Sequence, residues 1–280
     1  KEQHKTLYSL EGVFACLHCK PLESKGQIEI FEFITSLGVT AVMSDRTIIK
    51  PKELDIVIPN KKLAIEFNGL FWHSEKYMNK SYHAQKTQTC KMAGYQLLHV
   101  FDDEWRKKQD IIKSMIRYKL GLCQRRIGAR KCRIKNVNVS DRRQFFNENH
   151  IDGDTPSTCA IGLYLGNELL ACLSLRRPFH KKWKDRLEIA RFAQKRDTTV
   201  AGSLSRLTKV ALQKTGKERK KGLISYVDTR YGNGQGYISA GFQKESETKG
   251  SFWWTDNYSR FNRFKFRADK LRGLTERKLR

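Results

Sequence analysis

The sequence predicts a mixed α/β protein built from two domains, and three observations support this prediction. Stretches with the helical spacing of apolar residues alternate with short apolar runs that are typical of strands. The alternation occurs in two blocks, one ending near residue 122 and the other beginning near residue 132. Around their junction, residues 106–135 contain 12 Lys and Arg against one acid, which is typical of a basic connector.

The first block predicts three helices and three strands. The apolar residues of 28–37 lie on one face of a helix, and Gly94 ends the helix predicted over 80–93. In chain order we predict a helix over 28–37, strands over 54–58 and 63–67, a helix over 80–93, a strand over 95–101 and a helix over 103–120.

The second block predicts two helices and three strands. They are a helix over 141–149, strands over 159–165 and 168–175, a helix over 203–214 and a strand over 223–227. The predicted organisation is an N-terminal segment (1–24), a first domain (25–122), a basic linker (123–131), a second domain (132–270) and a basic tail (271–280).

The charge of the chain predicts a polyanionic partner. Lys and Arg number 55 against 29 Asp and Glu, which gives a formal net charge of +26. Such a chain repels itself in free solution, so nucleic acid is the first candidate partner, and a generically basic protein is the alternative. No apolar run approaches 18 residues and no long basic amphipathic helix is visible, which argues against a membrane partner. The oligomeric state stays open.

Seven cysteines bear on compartment and on metal binding. Their odd number and irregular spacing are not typical of a secreted disulfide framework, and no signal peptide is visible, so we expect a cytoplasmic protein. Cys16 and Cys19 form one C-x-x-C pair. A structural Zn²⁺ takes four ligands, and the chain begins with Lys1, so we expect an incomplete zinc site whose other half precedes this sequence. The alternative is two unligated cysteines.

Two acids mark the strand pair over 54–67 as the most informative segment. Centring a hairpin between Asn60 and Lys61 makes one face wholly apolar, because it pairs Leu54 with Phe67, Ile56 with Ile65 and Ile58 with Leu63. The same register places Asp55 opposite Glu66, and like charges in that position destabilise a hairpin. A bound Mg²⁺ or Mn²⁺ would remove the repulsion and would bring a phosphodiester and a water together. The alternative is two solvated acids on a surface hairpin.

Further polar residues follow the hairpin. His73 is a candidate general base for an attacking water, since the pKa of an unperturbed histidine lies near 6.5. His83 and Lys86 share one face of the next predicted helix, where Lys86 could neutralise a phosphate. Residues 102–104 are acids that either orient a catalytic group or interact with a helix N-terminus. The alternatives are a structural histidine and an exposed helix face.

The order strand-Asp, hairpin, strand-Glu-x-Asn resembles the core of PD-(D/E)XK nucleases. The runs NGLFWH at 68–73 and GYQLL at 94–98 are similar to the very-short-patch repair branch, which includes phage-encoded homing-type endonucleases. The resemblance covers about residues 22–122. It implies a mixed-sheet core, Mg²⁺-dependent hydrolysis of double-stranded DNA, a metal-ligand role for Asp55 and a catalytic role for His73.

The sequence departs from that family at two positions. Asn68 stands where the superfamily commonly has Lys, so Lys86 or His73 would do that work. Gln27 occupies the position of a first-helix glutamate, with Glu29 nearby. Asn68 and Trp72 are predicted to contact DNA.

Residues 132–267 resemble a GNAT-type acyltransferase domain of the kind that is common in phage proteins. The runs EIARFA at 188–193, VAGS at 200–203 and SYVDTRYGNG at 225–234 carry this looser resemblance. The family implies that a loop such as Gly202-Ser203 holds the pyrophosphate of acetyl-CoA. A full glycine-rich signature is absent, so the preferred interpretation is a fold retained as a DNA-binding platform.

Two basic clusters in the second block are predicted to contact phosphates. The first comprises Arg176, Arg177, Lys181, Lys182 and Lys184, with His180 and Trp183; the second comprises Arg260, Arg263, Lys265 and Arg267, interleaved with Phe261, Phe264 and Phe266. The function predicted from the sequence is a Mg²⁺-dependent DNA endonuclease. The alternatives are an acyltransferase that modifies DNA or protein and a DNA-binding protein without catalysis.

Overall fold

The computed structural model describes residues 8–10, 13–15, 24–70, 82–217, 221–248, 253–256, 258–262 and 266. Helices and strands alternate along these residues, which confirms the predicted mixed α/β class. Among them, no helix is long and apolar enough to cross a bilayer.

The elements before residue 121 match the predicted ones within three residues at each end, and three short strands are added. They are β1 (Tyr8–Leu10), β2 (Val13–Ala15), α1 (Lys25–Ser36), β3 (Val42–Asp45), β4 (Leu54–Ile58), β5 (Leu63–Asn68), α2 (Tyr82–Met92), β6 (Gln96–Phe101) and α3 (Asp102–Leu120).

The elements after residue 121 include every predicted helix and strand, together with several strands that the sequence did not reveal. They are β7 (Arg125–Gly128), β8 (Arg133–Asn136), α4 (Val139–Asn149), β9 (Cys159–Leu165), β10 (Glu168–Arg176), β11 (Leu187–Gln194), β12 (Thr198–Ala201), α5 (Ser203–Lys217), β13 (Leu223–Ser225), α6 (Gln235–Ser239), β14 (Trp253–Thr255) and β15 (Arg260–Asn262).

The strands form two larger sheets and three two-stranded ones. The larger sheets have the strand orders β3-β4-β5-β6 and β13-β11-β10-β9-β8. The pairs are β1-β2, β12-β7 and β14-β15. β7 pairs in parallel with β12, so the segment predicted as a basic linker, 123–131, contains a strand and a short 3-10 turn over Ala129–Lys131.

The chain divides into two compact units: residues 1–67 with 87–97, and residues 68–86 with 98–280. In the first unit, α1 packs on β4. One core of that unit comprises Ile49, Leu54, Val57, Ala64, Cys90 and Leu97. The hairpin β4–β5 therefore lies in the interior of its unit, with almost every residue buried.

The second unit has helices on both faces of its five-stranded sheet. Leu163 and Leu173 face the core that includes Leu207 of α5. Cys172, the next residue along β10, faces the core that includes Phe146 of α4. Because successive side chains of a strand point to opposite faces, α5 and α4 cover the two sides of the sheet.

Candidate active site

The β4–β5 hairpin has the register that its apolar pattern predicts. Ile56 pairs with Ile65 and Ile58 pairs with Leu63, whereas the predicted pairs Leu54–Phe67 and Asp55–Glu66 are not part of the ladder. A 3-10 turn over Pro59–Lys61 joins the strands, and Lys62 closes it in the left-handed conformation, with a φ of 48°. A slip by one residue would turn the apolar residues of one strand to the face that carries Asp55 and Glu66, which explains why the pattern fixes the pairing.

Asp55 and Glu66 point to the same face of this hairpin. Val57 pairs with Ala64 on that face, and each acid lies two residues further along its strand. The ladder opens at this point, because the backbone N–H of Phe67 donates to Asp55 Oδ2 at 2.8 Å. Glu66 is buried, with 4% of its surface exposed, and Asp55 is half-buried. The hairpin thus places two carboxylates on one side, in a largely buried setting.

The first turn of α1 lies against Asp55. Ser24 caps the helix by accepting a hydrogen bond from the Gln27 backbone N–H at 3.3 Å. Gln27 is buried, and its Nε2 donates to the backbone carbonyl of Asp55 at 3.3 Å. Glu29 lies 3.8 Å from Lys25 in a partly exposed ion pair instead. The side-chain amide of Gln27 therefore holds the backbone of Asp55 in place.

The donor set of this hairpin fits Mg²⁺ better than Zn²⁺. Within the described ranges, no group of three or more His, Cys, Asp or Glu is arranged to hold a metal ion. Mg²⁺ is commonly held by one or two carboxylates together with substrate oxygens, which Asp55 and Glu66 match. A structural Zn²⁺ needs four closely placed ligands. Cys16 and Cys19, the predicted half zinc site, lie outside the described residues.

A second polar cluster, in the other unit, is built around His99 on β6. Asn68 Nδ2 lies 3.3 Å from His99 Nδ1. The rings of His83 and His99 meet edge to face, with centroids 5.5 Å apart. Lys86, one turn along α2 from His83, is only 2% exposed. His99 was not predicted, because its only signal is one polar residue within the apolar run 97–101 of β6.

Burial keeps both histidines of this cluster neutral. Burial, together with the electrostatic effects of His83, Lys86 and Arg230, lowers the pKa of His99 to about 3. Burial and the charge of Lys86 also lower the pKa of His83. A neutral imidazole can accept a proton, so the setting suits His83 for general-base chemistry at neutral pH.

The predicted roles of Asn68, His73 and Trp72 have to be considered separately. Asn68 is fully buried and its amide contacts His99, so we remove it from the predicted DNA contacts. Its Oδ1 is a buried acceptor without a hydrogen-bond donor among the described residues. His73 and Trp72 lie outside those residues, and their predicted roles stay predictions.

The acids at the start of α3 bind arginines from the C-terminal part of the chain. Arg260 contacts Asp103 at 2.9 Å and Glu104 at 2.5 Å, with all three side chains 10% exposed. Glu104 also accepts from Arg230 at 3.2 Å and from the hydroxyl of Tyr231 at 2.6 Å. The prediction that Arg260 contacts phosphate is therefore wrong, because its guanidinium is buried against two carboxylates.

The first predicted basic cluster forms the loop between β10 and β11. Arg177, Lys181, Lys182 and Lys184 are exposed on it, as a phosphate-contacting surface requires. Arg176, at its base, instead donates to Glu188 from Nε at 2.9 Å. From the second predicted cluster, Arg263 and Lys265 lie outside the described residues.

The glycine-serine turn before α5 is tied to neighbouring side chains. Gly202 has a φ of 78°, a conformation that glycine adopts easily. Ser203 is 1% exposed, and its Oγ accepts from Gln194 Nε2 at 3.0 Å. Gln194 Oε1 in turn accepts from the Val200 backbone N–H at 2.7 Å. These bonds stabilise the turn itself, as expected of a helix start with a structural role.

The side chains therefore define a mixed α/β protein with a two-carboxylate hairpin in one unit and a histidine cluster in the other, each of them partly buried. No protein-family model matches the chain, and no curated protein matches it. Among solved structures, the chain is similar to the catalytic domain of a homing endonuclease, with 22% identity and a TM-score of 0.30, over 35% of this chain and 95% of that one.

The chain is also similar to an aminoglycoside acetyltransferase from an uncultured soil metagenomic sample. That similarity has 11% identity and a TM-score of 0.35, and it covers 45% of this chain and 97% of the other, in complexes with trehalose and with sisomicin.

Proposed function

We propose that this chain is a Mg²⁺-dependent DNA endonuclease of the homing type, which hydrolyses phosphodiester bonds at a specific site. The observation that supports the proposal is the hairpin register, in which Asp55 and Glu66 lie at the next alternating positions beyond the Val57–Ala64 pair. Two carboxylates brought together in this way repel each other, and a divalent cation relieves the repulsion. The net charge of +26 supports a polyanionic substrate.

We assign Asp55 and Glu66 as the metal-holding pair. Mg²⁺ bound there would bring a phosphodiester oxygen and a water together and would stabilise the charge that develops during hydrolysis. Gln27 holds the Asp55 backbone, and the Phe67 N–H orients one carboxylate oxygen. Both contacts fix the direction in which Asp55 presents its other oxygen.

The proposal also assigns a general base and a group that stabilises the charge of the phosphate. His73 is the predicted general base, and His83 is a second candidate because it is neutral at neutral pH. The positive charge of Lys86 lowers the pKa of His83 and of His99. It therefore favours the neutral imidazole, which is the form that can accept a proton. It would also stabilise negative charge on the scissile phosphate.

We further propose that residues 25–122 carry the cleavage chemistry and that residues 132–270 hold the duplex. The exposed cations between β10 and β11 provide the phosphate contacts of that second part. We favour this role over acetyl-CoA binding because the Gly202-Ser203 turn lacks a full glycine-rich signature. An acyltransferase would instead bind acetyl-CoA, which equilibrium dialysis with the labelled cofactor measures directly.

Cleavage of supercoiled plasmid tests the proposal. The wild type, Asp55→Asn and Asp110→Asn are compared in Mg²⁺, in Mn²⁺ and in EDTA. Asp110 is an acid whose side chain is 77% exposed, so its variant controls for the loss of one negative charge. Asparagine at position 55 retains an oxygen that can accept from the Phe67 N–H, so the fold is preserved.

We expect nicked or linear products from the wild type and from Asp110→Asn with metal, and none in EDTA. Asp55→Asn should lose cleavage by more than about 100-fold, while its affinity for duplex DNA in EDTA stays unchanged. Cleavage by Asp55→Asn at the wild-type rate, or equal cleavage in EDTA, would refute the proposal. Binding of DNA without any cleavage by the wild type would favour the non-catalytic alternative.

A further inference from the structure

The loop between β10 and β11 exposes a large aromatic side chain among cations. Phe179 is 80% exposed, although a phenylalanine is usually buried. Residues 176–186 contain six Lys and Arg and a single acid, Asp185. An aromatic ring in such a basic segment has the composition of a nucleic-acid contact that combines phosphate binding with base stacking.

One side of the Phe179 ring packs against the side chain of Arg176. The guanidinium carbon of Arg176 lies 4.2 Å from the centroid of that ring, in the geometry of a cation–π contact. Arg176 itself donates to Glu188, which is 2% exposed, and lies 3.4 Å from Thr155 Oγ1. One side of the ring therefore rests on a group that is fixed to the sheet, and the rest of the ring faces solvent.

The segment that follows Phe179 is also held in one conformation. The Lys182 backbone N–H donates to His180 Nδ1 at 3.2 Å, and the Trp183 N–H donates to the His180 carbonyl at 3.0 Å. Lys182 and Arg186 flank the Trp183 ring, at 4.4 Å and 5.1 Å from its centroid. A preformed loop can present its tip without a large loss of conformational entropy on binding.

We propose that Phe179 is a stacking side chain that inserts at a base-pair step of the bound duplex, while the neighbouring lysines hold the flanking phosphates. The inference rests on the proposed function for its substrate class, duplex DNA, and adds a deformation of that substrate. Apolar side chains that enter a base step partly unstack it and bend the helix, whereas phosphate contacts alone leave the stack intact. The six cations of residues 176–186 favour a polyanion over an apolar protein partner.

The experiment uses the full chain in EDTA, so that no cleavage occurs, and duplexes that carry 2-aminopurine at successive positions. Fluorescence of this base rises when it loses its stacking neighbours. The variants are Phe179→Ala, Phe179→Trp and a control, Tyr118→Ala, which removes another exposed aromatic side chain. Affinity is measured for each variant at several salt concentrations, and circular dichroism checks that each variant is folded.

We expect the wild type and Phe179→Trp to raise the fluorescence at one step, and Phe179→Ala to lose the rise and bind roughly 5- to 100-fold more weakly. Its salt dependence should match the wild type, because no phosphate contact is lost, whereas Lys181→Ala combined with Lys182→Ala should lower the salt slope by about 2. Tyr118→Ala should behave as wild type.

Fluorescence and affinity of Phe179→Ala within twofold of the wild type would overturn the inference, as would a wild type that binds without unstacking any step or does not bind. These results are separate from those for cleavage. A wild type that cuts plasmid while Phe179→Ala unstacks normally retains the proposed function and removes the inference. A wild type that unstacks a base step through Phe179 but never cleaves plasmid retains the inference and removes the proposed function.

Discussion

Substitution of Gly26 tests whether the contact between α1 and the hairpin is as close as the structure has it. A Cβ built on Gly26 lies 2.2 Å from Phe67 Cζ and 2.5 Å from Phe67 Cε2. Ordinary carbon contacts begin near 3.4 Å, so the ring would have to move by about 1.2 Å (3.4 − 2.2). Phe67 is 8% exposed, and overpacking of a buried ring costs about 1–3 kcal/mol.

Gly216 in α5 provides the matched control, because a Cβ there meets nothing within 4 Å. Replacing a helical glycine by alanine stabilises a helix by about 1 kcal/mol when no contact intervenes. Gly216→Ala should therefore gain up to about 1 kcal/mol, and Gly26→Ala should fall about 1–3 kcal/mol below it. Both glycines lie within one turn of a helix end, so the difference between the two variants chiefly reports the steric contribution.

Urea unfolding followed by circular dichroism gives the free energy of unfolding of each variant. Because the Phe67 N–H donates to Asp55, a displaced Phe67 should also lower Mg²⁺-dependent cleavage in Gly26→Ala and leave it unchanged in Gly216→Ala. Two variants whose free energies of unfolding agree within about 0.5 kcal/mol would refute the close packing of α1 on the hairpin, and with it the positioning of Asp55 by this helix.

Two further predictions concern buried charges. His99 has a folded-state pKa of about 3 against an ordinary value of 6.5, so its contribution to stability is complete above pH 6.5 and is lost as the pH falls towards 3. Between pH 7.5 and 5.5 the wild type should lose about 1.4 kcal/mol that His99→Asn does not, and equal losses by urea unfolding would contradict the burial of His99 as a neutral group. Arg142 and Asp154 form a buried ion pair at 2.9 Å, with side chains 7% and 11% exposed, so Asp154→Ala should cost about 3–5 kcal/mol. The double variant Arg142→Met with Asp154→Leu should recover most of it, and a loss below 1 kcal/mol for the single variant would contradict the pairing.

The hairpin could be predicted because its signals are local. Alternating apolar residues and the segment 59–62 specify both the turn and the register, so Ile56 meets Ile65 as expected. Asp55 and Glu66 then fall on one face without any knowledge of the rest of the chain. The helices and strands that were predicted in both blocks could be recognised for the same reason, since each has its own periodicity.

The partners of the charged residues could not be predicted, because they are distant in sequence. Glu104 and Arg230 are 126 residues apart, and Asp103 and Arg260 are 157 residues apart. A buried arginine and a DNA-contacting arginine look the same in a sequence, which is why Arg260 was assigned to phosphate. β3 and β7 were missed because strands of four residues carry too little alternation to be separated from loops.

Arginines and lysines occupy different positions in the second unit, and this difference determines which positive charges can contact phosphates. In the second unit, the ion-paired acids whose side chains are at most 11% exposed pair with arginines: Asp154 with Arg142, Glu188 with Arg176, Glu104 with Arg230 and Asp103 with Arg260. A guanidinium suits these positions because its planar donors bind a carboxylate in two places and it is weakly hydrated.

Lysines, whose ammonium is strongly hydrated, occupy the exposed loop positions 181, 182 and 184. The internal pairs neutralise their own arginines, so those arginines release no counterions when a polyanion arrives. The salt dependence of DNA binding should then follow the number of exposed lysines and not the total of 55 basic residues. The same reasoning explains why the basic loop has an arginine at its base and lysines at its surface: Arg176 fixes the support of Phe179, and the lysines remain exposed for the phosphates on either side.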